Sequence, residues 1–123
     1  MLYEELTREI IGAAIEVHKI LGPGMLESAY EECLCYELKK RNLGYERQKP
    51  IPIVYKEIKL ECGYRADIIV DDKIILELKS SEGFNPIYEA QVLTYMRFAQ
   101  KRLGLLINFN VAKLTDGLKR YIL

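Results

Sequence analysis

Two short apolar runs, Ala66–Val70 and Ile74–Leu78, flank the polar triplet Asp71-Asp72-Lys73, and charged residues interrupt both patterns at Asp67, Glu77 and Lys79. β-Branched residues bounded by turn formers predict two strands, over Ile58–Val70 and Lys73–Ser80, joined by a tight turn at Asp71-Asp72. Loop length then decides everything about the charges, because a one-residue slip moves every side chain to the opposite face. With a three-residue loop, Val70 pairs with Ile74 and Asp67 falls opposite Glu77. Arg65 then opposes Lys79, and all four share a face with Ile69 and Ile75. The other face carries Ala66, Ile68, Val70, Ile74, Leu76 and Leu78 and is wholly apolar. A two-residue loop would scatter the acids across both faces. The odd length is the one that separates polar from apolar.

The rest of the chain supplies cover for such a hairpin. Leu6, Ile10, Ala13, Ala14, Val17 and Leu21 recur at helical spacing, predicting a helix from Leu2 to Leu21 that stops at Gly22-Pro23-Gly24. A second helix runs from Met25 to Arg41, with Leu26, Ala29, Tyr30, Cys33, Leu34 and Leu38 as its stripe, and Asn42–Gly44 ends it. Tyr45–Tyr55 alternates Ile and Val around Pro50 and Pro52, the pattern of an edge strand. A third helix is expected over Pro86–Lys101 with Pro86 in its first turn. Leu103–Asn108 reads as a central strand buried on both faces, and Gly117–Leu123 as a last edge strand. The fold class is therefore α/β (α+β), a single small domain over 1–123 with a mixed β-sheet flanked by helices.

Composition narrows the partners. Lys and Arg number 18 and Asp and Glu 18, so the formal net charge is zero, which excludes a coat held on nucleic acid by bulk positive field. No apolar stretch is long enough to span a membrane and no signal-peptide pattern opens the chain, so no membrane partner is expected. Cys33, Cys35 and Cys62 are odd in number and lack a CxxC spacing, which fits free thiols in a reducing cytoplasm. With His18 as the single histidine, a Cys/His zinc site has too few ligands.

Two carboxylates facing each other across a hairpin repel unless a cation lies between them. Oxygen ligands with room for water suit Mg²⁺ or Mn²⁺, and Lys79 beside them can polarise a water or stabilise charge on a phosphate. The other reading is a pair of surface ion pairs, Asp67 with Arg65 and Glu77 with Lys79, of small energy and no function.

Asp67, then nine residues, then Glu77-Leu78-Lys79 resembles the motif of the PD-(D/E)xK nuclease superfamily, with Ala66 where the motif has Pro. Gln91 and Tyr95, four apart and so on one helical face, are similar to the QxxxY signature of its RecB-like branch. Gly24, Glu27 and Tyr30 resemble the GxxExxY signature of a small family assigned to the same superfamily. The resemblance implies a restriction-endonuclease-like core. It also implies that Asp67, Glu77 and Glu27 hold Mg²⁺ or Mn²⁺, that Lys79 assists catalysis, and that Gln91, Tyr95 and Tyr30 orient substrate or the metal shell. Read by itself, Glu27 is an acid in the first turn of a helix, where the dipole favours it.

The expected function is Mg²⁺-dependent hydrolysis of phosphodiesters in DNA, with RNA as a lesser alternative. The rival is a non-catalytic module of the same fold that binds a partner protein or nucleic acid. A small domain with no net charge also leaves room for a homodimer. His18 reads either as a base reaching the site or as a half-buried cap of the first helix. Lys101, Arg102, Arg97, Arg47 and Lys49 read either as phosphate contacts or as solvated surface.

Overall fold

The computed structural model describes residues 1–61 and 63–123; Cys62 lies outside the described residues. In chain order the elements are α1 (Glu4–Leu21), α2 (Glu27–Lys40), β1 (Tyr45–Pro50), β2 (Ile53–Tyr55), β3 (Ile58–Leu60), β4 (Arg65–Val70), β5 (Ile74–Lys79), α3 (Pro86–Ala99), β6 (Leu103–Asn108), a short 3₁₀ helix (Leu114–Gly117) and β7 (Leu118–Ile122). Five strands make one mixed sheet in the order β1-β4-β5-β6-β7, and β2 pairs with β3 in a small separate ribbon. β5 and β6 are parallel neighbours joined through α3, while the other pairings of the main sheet are antiparallel.

The sheet is covered on both faces. Ile10, Ala13, Val17, Leu34 and Leu38 from α1 and α2 pack on Ile68, Val70, Ile74, Leu76, Leu78, Leu105 and Ile107. Val92, Tyr95 and Met96 of α3 pack on Ile69, Ile75 and Leu106 from the other side. Each fully buried Val, Leu, Ile or Met among them contributes about 1.5–3 kcal/mol. β6 is buried at every position, as expected of a central strand. Gly104 is what lets α3 lie so close, since a Cβ there would meet Met96 Sδ at 2.6 Å and Val92 Cγ1 at 2.9 Å.

Register follows the three-residue loop: Val70 pairs with Ile74, Ile69 with Ile75 and Ile68 with Leu76. Three sequence expectations need correction. Tyr45–Tyr55 and Ile58–Val70 are not continuous strands. Pro50 and Pro52 carry no N–H to extend a ladder, so the chain leaves the sheet after Pro50 and turns back as the β2–β3 ribbon. Arg65 does not oppose Lys79, because the β4–β5 ladder ends at Ile68 and Leu76; Arg65 pairs instead with Pro50, and Lys79 with Asn108. Ala66, lying beyond that end, joins the cluster under α3 rather than the one under α1 and α2.

Candidate active site

β4 and β5 part where the acids begin. In a regular antiparallel ladder Asp67 and Glu77 would exchange backbone hydrogen bonds or sit as a non-bonded pair. Here their side chains take over the backbone donors. The Asp67 N–H donates to Glu77 Oε1 at 3.2 Å, and the Leu78 N–H donates to Asp67 Oδ2 at 2.8 Å. Each carboxylate thus reaches across to the opposite strand, and the two acids are held together by the backbone they have unzipped.

This arrangement is electrostatically expensive. Glu77 is 3% exposed. Burial first, and the Asp67 charge second, push its carboxyl from 4.5 up to about 9. Asp67 is also pushed up, mainly by burial and further by Glu31, against the pull of the Leu78 N–H and of Lys79. Near neutral pH the pair therefore keeps a proton that a divalent cation would displace. Oxygen donors that are short of positive charge are the donor set Mg²⁺ and Mn²⁺ favour, and Mg²⁺ sites commonly need only one or two carboxylates beside water and phosphate. The two acids fit such an ion. Among the described residues, no group of three or more His, Cys, Asp and Glu converges at ligand spacing.

Lys79 stands on the α3 side of the acids. Its Nζ donates to Gln91 Oε1 at 3.3 Å, and Gln91 Nε2 donates to the Tyr95 hydroxyl at 3.2 Å. The ammonium also lies 4.7 Å from the centre of the Tyr88 ring. The i, i+4 pair of the sequence thus meets the lysine of the strand and fixes its direction. Asn108, buried and fully satisfied, supports this side. Its Oδ1 accepts from Ser81 N and Asn110 N, and its Nδ2 donates to the Ser81 and Gly83 carbonyls, pinning the loop between β5 and α3.

α2 supplies the opposite wall, and here the structure departs from expectation. Glu27 is exposed at the start of α2 and makes no hydrogen bond or ion pair with the described residues. The α2 acid that acts on Asp67 is Glu31, one helical turn later and nearly buried. It accepts from Arg47 Nη2 at 3.0 Å and from Gln48 Nε2 at 2.7 Å, and Gln48 Nε2 also reaches Asp67 Oδ1 at 3.4 Å. Gln48 holds a left-handed φ of 50° within β1, between the Arg47–Ile68 and Lys49–Ala66 pairs. The signal for Glu31 was present in the sequence, four residues after Glu27 on the same face. Gln48 had none.

Tyr30 does not reach the acids. Its ring is fully buried and stacked on Phe109 at 4.3 Å, and its hydroxyl donates to the Gly22 carbonyl at 2.5 Å while accepting from Met25 N at 3.1 Å. Ser80 Oγ donates to the Met25 carbonyl at 2.6 Å. Between them they fasten the Gly22–Leu26 turn to the end of β5, which sets where α2 begins. His18 is buried in the last turn of α1, and its Nε2 donates to the Val111 carbonyl at 2.8 Å, tying α1 to the loop after β6. Of the basic residues weighed as phosphate contacts, Arg47 is engaged by Glu31, Lys49 by Glu46 and Lys101 by Asp72. Arg97 and Arg102 have no carboxylate partner among the described residues. Burial raises the Cys35 thiol to about 11, leaving it unreactive.

Among the described residues, no helix is long and apolar enough to cross a membrane. A family model described as the PD-(D/E)XK nuclease superfamily matches residues 4–121. Comparison with curated proteins and with solved structures yields no match.

Proposed function

The chain belongs to the PD-(D/E)XK nuclease superfamily, and from that premise we propose that it is a divalent-metal-dependent nuclease hydrolysing phosphodiester bonds in DNA, with RNA as the lesser alternative. Asp67 and Glu77 are the residues that hold Mg²⁺ or Mn²⁺; Glu27, exposed at the start of α2, stands apart from that pair. The observation that carries this reading is the pair of carboxylates crossed between β4 and β5 with an ammonium two residues further along β5. Surface ion pairs do not account for it, because Glu77 is buried and Lys79 is bonded to Gln91 rather than to an acid.

When bound, such an ion supplies Lewis-acid polarisation of a phosphate and a more acidic water. The chain's own groups do the rest. Lys79, aimed by Gln91 and by the Tyr88 ring, orients the attacking water and offsets charge growing on the phosphate. Tyr95 holds Gln91, and Gln48 with Glu31 holds Asp67 from the opposite side. Gly24, Glu27 and Tyr30, with Gln91 and Tyr95, support placement in the GxxExxY group and the RecB-like branch. Free thiols at Cys33 and Cys35 support a reducing, cytoplasmic setting.

The test is cleavage of DNA with Mg²⁺ or Mn²⁺ by the wild type, Glu77→Ala and Lys79→Ala. Cutting by the wild type, reduced at least a hundredfold in both variants, is expected. A wild type that cuts nothing, or variants that cut equally well, overturns the proposal and leaves a binding module for a partner protein or nucleic acid, or a homodimer.

A further inference from the structure

α3 presents Tyr88, Gln91, Tyr95 and Phe98 at spacings of three, four and three, a single stripe along the helix. Such a stripe ordinarily disappears into a core. Here only Tyr95 is buried. The others line a groove of about 610 Å³ between α3 and the β2–β3 ribbon, whose far wall is formed by Leu60 and Tyr64. Tyr64 is 43% exposed and meets the Tyr95 ring edge-on, 6.4 Å between centres. Tyr64 is thus the exposed ring of the far wall, while on α3 Tyr88 and Phe98 are half-buried and Tyr88 carries the Lys79 ammonium over one face.

Two further observations say what fits there. The groove begins at the candidate active site, since Lys79 lines it and lies over Tyr88. At Leu60 and Tyr64 it continues into a second depression lined by Lys49, Lys59 and Arg65 against the single acid Glu61. Neither Lys59 nor Arg65 has a carboxylate within ion-pair distance among the described residues. A row of aromatic rings bordered by Lys59 and by Arg65, whose guanidinium is bonded to the Gln48 carbonyl rather than to an acid, and ending at the chemistry, matches an unpaired strand, whose bases can stack on aromatic rings while its phosphates meet the cations. A duplex keeps its bases stacked inside and would have to be opened first.

We propose that this groove is a base-stacking channel for single-stranded nucleic acid, with Tyr64 and Tyr88 as its stacking platforms and Lys59 and Arg65 on the strand's phosphates. The choice of a nucleic acid as occupant rests on the nuclease reading above.

Binding without divalent metal separates the two ideas, because no cleavage is needed. The probe is a fluorescein-labelled thymidine oligonucleotide of about 12 nucleotides, read by fluorescence anisotropy beside its duplex with adenosine. Full-length wild type is compared with Tyr64→Leu and Tyr88→Leu, which keep bulk but lose the π-face, and with Tyr64→Phe and Tyr88→Phe, which keep it. Tighter binding of the single strand, weakened about five- to a hundredfold by each leucine and retained by each phenylalanine, is expected. Equal binding of single strand and duplex, or leucine variants that bind like the phenylalanine ones, overturns the channel even if the protein cuts DNA. Tyrosine-dependent binding by a protein that never cuts keeps the channel and refutes the nuclease.

Discussion

At the scale of single residues the site is a place where the fold tolerates an unfavourable charge. Glu77 titrates near 4.5 in an unfolded chain and at about 9 in the folded one. Its contribution to stability is therefore complete below the lower value and declines as pH rises through the upper one. The metal-free protein is expected to melt at progressively lower temperature between about pH 5 and pH 9. Glu77→Gln keeps an acceptor for the Asp67 N–H but carries no charge, so it flattens that slope and raises the melting temperature by a few degrees at about pH 8. Thermal melts across the pH range decide this, and a variant that melts lower than wild type at alkaline pH contradicts it. The Asp67–Glu77 opposition was readable beforehand because side-chain alternation in a strand has period two and one loop length makes it consistent. The role of Glu31 was not, because choosing between two acids a helical turn apart depends on where the helix starts.

The start of α2 is a matter for whole elements. Tyr30 clamps the Gly22–Leu26 turn through both ends of one hydroxyl, so the tyrosine of the GxxExxY pattern acts on the backbone. Tyr30→Phe leaves the Gly22 carbonyl and the Met25 N–H without that partner and should cost about 1–3 kcal/mol in urea unfolding. If the loss is negligible, the clamp has no weight. α3 is set just as firmly by Gly104. Gly104→Ala forces Met96 and Val92 outward and is expected to cost about 1–3 kcal/mol, and cleavage should fall with it as Gln91 moves from Lys79. What sequence reading lost at this scale is the β2–β3 ribbon. Ile and Val alternate through Tyr45–Tyr55 as though one strand ran there, and hydrophobic period is blind to the donors missing at Pro50 and Pro52.

For the molecule as a whole, zero net charge takes on a different meaning once the charges are placed. Several basic residues are spent on neighbours: Arg47 on Glu31, Lys49 on Glu46 and Lys101 on Asp72. The acids that matter share too little compensation, since Lys79 turns to Gln91. A divalent ion added to the folded chain should then act as a ligand for the native state alone and raise its melting temperature with concentration. Mn²⁺ titration followed by thermal shift tests this; Glu77→Ala should abolish the gain, and a gain that survives the substitution places the ion elsewhere. The layered fold and its mixed sheet were legible from the pattern of apolar runs, because each helix and strand shows its buried face in its own sequence. The groove between α3 and the ribbon was not, because it is made by two elements that meet only after the chain has left the sheet at Pro50.

The unzipped end of β4 and β5 has an evolutionary consequence. Asp67 and Glu77 serve as hydrogen-bond acceptors that mend a broken ladder, so their positions are constrained by folding as well as by chemistry. A relative with no enzymatic role would still be selected to keep an acceptor there. Asparagine and glutamine would be the permitted replacements, and a pair of polar acceptors would still mark the break in the sheet after the acidic motif itself was gone.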